Sequence, residues 1–307
     1  MTPRQLKYFV EIARSGSLTQ AAASLHIAQP ALSHQLAAME EEVGVSLLQR
    51  HARGVRLTAE GQRLFDRAVA ILRQMDRLRE DVRGGGAALE GTVTLCLVGS
   101  VAPVLALPLL RAVEARAPKV QLRLSTGMSR EVQSMVEARR VDLALLPTAF
   151  ELPRLLATPL FEESFCLFGH RRLLKGRGTR IAFNQIGDRA LVEPDREHDL
   201  RKLIERTALA HGCNLNVRYE LNNSELLRAV VREGMACAIM PRNVFLKPEL
   251  QDIAVREIVE PALVRTQSIV SLVEHPLTPA GEAVRLAVMD TIATLIDDGT
   301  FHARLLR

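Results

Sequence analysis

An N-terminal all-α winged helix-turn-helix, one long linker helix and a C-terminal α/β domain of two lobes is the fold class this 307-residue sequence predicts. Three observations predict it. The stretch "GSLTQAAASLHIAQPALSHQ" is rich in small residues and framed by helix-starting residues. Apolar residues then recur at alternating spacings of four and three over 64–82. From residue 92 onward, strand-like and helical segments alternate.

Thr2-Pro3-Arg4-Gln5 supplies an N-cap, a Pro at the first helical position and a Gln three residues after the cap. Leu6, Phe9, Val10 and Ala13 mark that helix's inner face, and Gly16 ends it. Ser17-Leu18-Thr19-Gln20 starts a second helix by the same logic. Its body, Ala21-Ala22-Ala23-Ser24-Leu25, is small enough for a neighbour to pack closely. His26-Ile27-Ala28 makes a turn, and Gln29-Pro30-Ala31 opens a third helix. Leu32, Leu36, Met39 and Val43 are placed to face inward on it. Three short helices with a tight turn between the second and third describe a helix-turn-helix. The polar, uncharged first turn of the third helix faces outward. There Gln29, Ser33, His34 and Gln35 can hydrogen-bond to base edges, and the helix N-terminus favours a phosphate.

Residues 47–57 place a Gly turn between two short strand-like pieces, with Arg50, Arg53 and Arg56 around it. Beside a helix-turn-helix this basic β-wing suits phosphate or minor-groove contact. Thr58 caps a long helix. Leu64, Ala68, Ile71, Met75, Leu78 and Val82 form a heptad seam on it that predicts a dimer, and Phe65, Val69 and Leu72 form a second stripe for packing on the N-terminal module. Gly84-Gly85-Gly86 ends the helix in a hinge. The expected domains are therefore 1–58 (DNA-binding), 59–90 (linker helix and hinge) and 91–307 (two α/β lobes).

In the last domain the pattern predicts strands over 92–98, 120–125, 141–146, 164–169, 190–192, 217–221, 235–240 and 266–273. Helices are expected over 104–116, 130–139, 200–211, 223–233 and 279–297. The alternation implies parallel sheets with helices on both faces and a cleft between two similar lobes. Ligands in such lobes sit outside the carboxyl ends of strands. Gly99-Ser100, Ser125 to Ser129 and Asn222-Asn223-Ser224 lie at such ends, with Pro147-Thr148 and Glu193-Pro194-Asp195 as crossover or rim segments.

Composition narrows the function. The formal net charge is +5, but residues 1–58 hold six basic and four acidic side chains, a surplus of only two. Affinity from charge alone is then weak, which disfavours an architectural DNA protein and requires base reading. No catalytic motif of the GxSxG, Walker, GxGxxG or HExxH kind is present, and the eight histidines are scattered, so neither enzyme, cofactor nor metal site is expected. Cys96, Cys166, Cys213 and Cys237 lie far apart and read as reduced thiols. The chain opens on an amphipathic helix, without a signal-peptide or membrane-span pattern. A cytoplasmic protein is expected rather than an exported solute-binding one.

The segment from "LKYFVEIARSGSLTQAAASLHIAQPALSHQL" to "RLTAEG" resembles the N-terminal domain of LysR-type transcriptional regulators. "LKYFV", "GSLTQAA" and "LHIAQPALS" look like the branch that includes nitrogen-assimilation control regulators. The resemblance implies a regulator bound to operator DNA as a dimer or tetramer, responding to a small molecule held between the lobes, and meeting RNA polymerase if it activates. It carries DNA contacts onto Gln29, Pro30, Ala31, Ser33, His34, Gln35, Arg50 and Arg53, with Thr19 and Gln20 near the backbone. Effector contacts fall on Ser100, Ser129 and Thr148, with Asn223 a further candidate. His34 departs from the Gln or Arg frequent in the family, which bears on base preference.

Overall fold

In the computed structural model, Thr2 caps the first helix, α1 (Pro3–Ser15), in a complete capping box, and Gly16 ends it in the left-handed conformation. The structure describes residues 1–51, 54–82, 89–147, 154–245 and 251–306, without the side chains of 50, 73, 74, 76, 77 and 79–82. Arg53 and Thr148 and the side chains of Arg50 and Val82, all singled out above, thus lie outside the described residues. The chain divides into two compact units, Met1–Ala87 with Ala138–Arg140, and Ala88–Glu137 with Val141–Arg307.

In the first unit, α2 (Leu18–Ser24) is capped by Ser17 and buries Ala21 and Ala22, as their small size allows. Helix α3 (Gln29–Val43) buries Leu32, Leu36 and Met39. Val43, expected inward, is 37% exposed because α3 ends there at Gly44. Strands β1 (Leu48–His51) and β2 (Gly54–Leu57) pair antiparallel as the wing. Gly54 has φ +134°, and a Cβ there would meet the Gly16 carbonyl at 2.3 Å; Val55 N–H donates to that same oxygen at 2.9 Å. The wing is thus pinned to the end of α1.

Thr58 starts α4 (Ala59–Val82) by accepting from Gly61 N–H at 2.9 Å, while its own N–H donates to the Leu47 carbonyl. Leu64 and Ala68 were expected in a dimer seam. Both pack instead into this unit's core with Phe65, Val69 and Leu72. The first turns of α4 lie on α1, so the first residues of both stripes are covered there and the start of the helix packs within the first unit.

In the second unit, β3 (Glu90–Val98), β4 (Lys119–Gly127) and β5 (Leu143–Pro147) are parallel and alternate with α5 (Ala102–Arg116) and α6 (Ser129–Glu137). Strand β6 (Leu155–His170) runs through both lobes. Strands β7 (Arg180–Ala182), β8 (Leu191–Glu193) and β9 (Val217–Glu220), with α7 (Asp199–Ala210) and α8 (Ser224–Arg232), build the second lobe together with β10 (Ala238–Pro241) and β11 (Ile253–Val259). Then β12 (Val264–Leu272) returns to the first lobe, which α9 (Pro279–Asp297) covers before β13 (Arg304–Leu305).

The main sheet runs β4-β3-β5-β12-β6-β11-β7, with β10 and β13 also on β6. It is mixed, not parallel: β12 is antiparallel to both β5 and β6. The parallel sheets implied by the alternation are thus not what forms, because a short apolar strand carries no mark of its direction. The small β8–β9 sheet is parallel. One core of β3, β5, α5, α6 and α9 residues fills the first lobe, and two smaller ones flank β6 and β10 in the second. All four cysteines are free; Cys96, Cys166 and Cys237 are buried, which pushes their thiol pKa values up, those of Cys166 and Cys237 to about 11. No helix among the described residues is long and apolar enough to cross a membrane.

Candidate functional site

Two features draw polar groups together. The first is the outer surface of α2, α3 and the wing. Thr19 and Gln20 are exposed in the first turn of α2. Gln29, Pro30, Ala31 and His34 are exposed on α3, while Ser33 and Gln35 are half-buried. The N-cap of α3 is Ala28, which supplies no side-chain hydrogen bond, and no acid lies in its first turn. The amides that a capping side chain would satisfy are thus left for solvent or a ligand, and the positive helix end faces outward unopposed. Leu32 and Leu36 anchor the helix beneath. Glu40 fixes the start of the wing by accepting from Leu47 and Leu48 N–H at 2.7 and 3.2 Å, and Arg56 is exposed on β2. The arrangement presents donors, acceptors and one helix N-terminus at exposed positions of α2, α3 and the wing.

The second feature is a cleft of about 370 Å³ between the lobes of the second unit. Val98 to Ser100 after β3, Thr126 to Ser129 between β4 and α6, and the starts of α7 and α8 form its walls. Ser100 lines it and accepts a hydrogen bond from Arg265 Nη2 at 2.8 Å. Ser129, the first residue of α6, is buried in the wall. Asn223 lines it too, but its Oδ1 already accepts from Glu225 and Leu226 N–H at the start of α8. Its first role is therefore the cap.

Sequence reasoning missed Arg265, its partner Glu163, and His198. Arg265 on β12 donates from Nε to Glu163 at 2.6 Å and stacks its guanidinium over Phe165 with the carbon 5.2 Å from the ring centre. Glu163 is fully buried and also accepts from Gln267 Nε2 at 2.6 Å. His198, the N-cap of α7, accepts from Leu200 N–H on Nδ1, which leaves the ring proton on Nε2. Burial, and then the charge of Arg265, holds its pKa below the ordinary histidine value, so the ring stays neutral. A polar residue just before the expected helix at 200 was a usable signal for His198; nothing local marks Arg265.

Glu193, expected on the rim, is fully buried at the end of β8, where its Oε1 accepts from Ile239 N–H at 2.9 Å. Burial pushes its pKa up to about 8, against that hydrogen bond and the charge of Arg201. The apolar contacts of β8 with β10 turn the side chain inward, away from the solvent that Asp195 reaches. Among the described residues no group of His, Cys, Asp and Glu could hold a metal ion.

Sequence comparison matches residues 3–62 to the bacterial regulatory helix-turn-helix protein, lysR family, and residues 86–293 to the LysR substrate binding domain. The nitrogen assimilation regulatory protein nac of Klebsiella aerogenes is 32% identical over 244 residues, 79% of each chain. The hydrogen peroxide-inducible genes activator of Haemophilus influenzae is 26% identical over 299 residues, 97% of this chain and 99% of that one. Among solved structures, a full-length OxyR variant from Pseudomonas aeruginosa superposes with a TM-score of 0.70 at 22% identity, over 95% of this chain and 94% of that one. Full-length CbnR complexed with its target DNA gives 0.56 at 23% identity, over 95% and 99%.

Proposed function

Because the chain belongs to the LysR family of bacterial DNA-binding transcriptional regulators, we propose that it reads its operator through the first turn of α3 and the wing. The observation that carries this is the exposed, uncapped N-terminus of α3 with Gln29, Ser33, His34 and Gln35 around it. Side chains of this kind hydrogen-bond base edges, and the free amides and helix dipole take a phosphate. Thr19, Gln20, Arg50 and Arg53 hold the backbone to either side.

A small effector in the cleft, touching Ser100, Ser129, Asn223 and Thr148, biases the two lobes and through them the regulator's action on transcription. Ile71 and Leu78 are 43% and 62% exposed on α4, with Met75 between them. That unpartnered apolar stripe supports a dimer seam of Ile71, Met75, Leu78 and Val82, with a tetramer as the full assembly and the cytoplasm as its place. An activating complex would also touch RNA polymerase.

The test is binding of full-length protein to an operator selected from random DNA. With Gln29→Ala and Ser33→Ala together, discrimination between operator and random DNA falls about tenfold or more, at 1–3 kcal/mol per lost base contact. Binding to random DNA changes by less than threefold. An equal loss on both DNAs overturns base reading by α3.

A further inference from the structure

We propose that the ligand of the cleft is a small zwitterion, with a carboxylate seated at Arg265 and Ser100 and a cationic group seated at Glu131. The proposal rests on the effector reading of the cleft and names the chemistry of what fills it.

The inner end is built for a carboxylate. Arg265 is held in place by Glu163, by the Phe165 ring and by the Ser100 hydroxyl, so its guanidinium is pre-oriented toward the cleft wall. The side chain is 12% exposed, and an oxygen that meets it there does so in a partly desolvated setting where a charged hydrogen bond is strong. Ser100 accepts from Arg265 and retains its own hydroxyl proton for the ligand. Ser129 opens α6 at the same end, and the neutral ring of His198 adds an Nε2–H donor. Arg265, Ser100, Ser129 and His198 each present a hydrogen-bond donor.

The outer end has the opposite character. A second hollow of about 350 Å³ shares Met128, Ser129, Glu131 and His198 with the cleft and forms its mouth. It is lined by Glu131, Asp195, Glu197 and Asp199, with Arg130 as its one lining cation. Arg130 and Lys202 both lie against Glu197, at 3.3 and 3.4 Å. Glu131 lines both spaces and makes no hydrogen bond or salt bridge among the described residues. Beneath Arg265, Glu163 is fully buried, and its Oε2 has no hydrogen-bond partner. The four lining carboxylates, Glu131, Asp195, Glu197 and Asp199, outnumber the two cations beside them, Arg130 and Lys202, while Glu163 and Arg265 balance each other beneath.

A cleft with this surplus of negative charge repels a simple anion at its mouth, and a dianion more so. A pure cation would be drawn to Glu131 and the mouth but would leave Arg265 and the donors beside it without an acceptor. Only a ligand carrying both charges satisfies both ends. The mouth carboxylates do not converge on a metal-binding group, so an organic ammonium or guanidinium is the cation that fits.

Isothermal titration of the full-length protein with five probes tests this: L-lysine, 5-aminopentanoate, pentanoate, pentylamine and glutarate. At least one of the two zwitterions is expected to bind tenfold or more tighter than pentanoate and pentylamine, a difference of about 1.4 kcal/mol, with glutarate weakest. Glu131→Gln should bring the zwitterion to within threefold of pentanoate by weakening the zwitterion without weakening pentanoate, while operator affinity without ligand shows that the variant is folded. Pentanoate or glutarate binding as tightly as the zwitterions overturns the proposal and leaves the effector reading standing. Failure of both zwitterions to bind overturns it as well. A zwitterion that binds in the predicted order without altering operator affinity or footprint supports the charge assignment and refutes the effector reading instead.

Discussion

Glu193 makes the folded second lobe sensitive to pH in a direction that can be worked out. Its carboxyl is fully buried, one oxygen accepts from Ile239 N–H, and the other has no partner. Burial raises its pKa from 4.5 to about 8, and the nearby Arg201, itself engaged with Pro194, Glu205 and Glu220, recovers only part of that shift. Between those two values the folded state holds a proton that the unfolded chain has released. The unfolded state binds fewer protons there, so stability falls as pH rises, by up to about 1.4 kcal/mol per pH unit. Over the 3.5 units from 4.5 to 8 the loss is on the order of 5 kcal/mol. Glu193→Gln keeps the shape and the acceptor for Ile239 but cannot ionise. Guanidinium unfolding of both proteins at pH 5, 6, 7 and 8 gives the check: the stability of the natural protein relative to the variant should fall by several kcal/mol across the series. His198 titrates with the opposite sign, because its lowered pKa makes its contribution grow as pH rises through the histidine range, and it cancels in the comparison. A difference that stays flat from pH 5 to 8 refutes the assignment.

Two further outcomes follow from packing. Ile71→Asp with Leu78→Asp places two charges in the stripe that the N-terminal core leaves uncovered, and light scattering should report a smaller assembly with an unchanged helix content; an unaltered mass would remove the seam from α4. Gly61→Ala brings a Cβ to 1.9 Å from the Leu47 carbonyl, so α4 must move away from the wing. Its thermal unfolding should show a loss of about 1–3 kcal/mol in the first unit alone, and a transition unchanged from the natural protein would contradict that close approach.

The DNA-binding unit was legible because its determinants are local. Thr2, Ser17 and Thr58 cap the helices they immediately precede, Gly16 stops the helix it follows, and Pro30 opens α3. Each such signal acts within one turn and survives any error elsewhere. The stripes of α4 were half legible: period 3.6 gives the side of the helix on which an apolar residue lies, but not what covers it. Leu64 and Ala68 belong to the same heptad pattern as Ile71 and Leu78, yet the first pair packs into the core of the first unit and the second stays exposed. The long strand β6 was expected only over 164–169, because Pro159, Glu162 and Glu163 interrupt any strand pattern upstream. The structure absorbs Pro159 beside a register shift at Gln267 and Ser268, and pairs Glu163 with Arg265 across strands.

That last pair explains why ligand chemistry was less legible than function. Arg265 lies 102 positions from Glu163 and 165 from Ser100, and only the register of β12 against β6 brings the three together. A strand register is fixed by the whole apolar pattern of a sheet, so no short window of sequence contains it. The same reasoning applies to Glu131 and the acids around residues 195–199, which belong to different lobes and form one mouth only after both have folded. Base-reading residues sit one or two turns apart on a single helix and announce themselves as a motif. Effector-reading residues are a property of the assembled sheet, and two chains with identical helix-turn-helix segments can differ in ligand through one charge on β12 or α6.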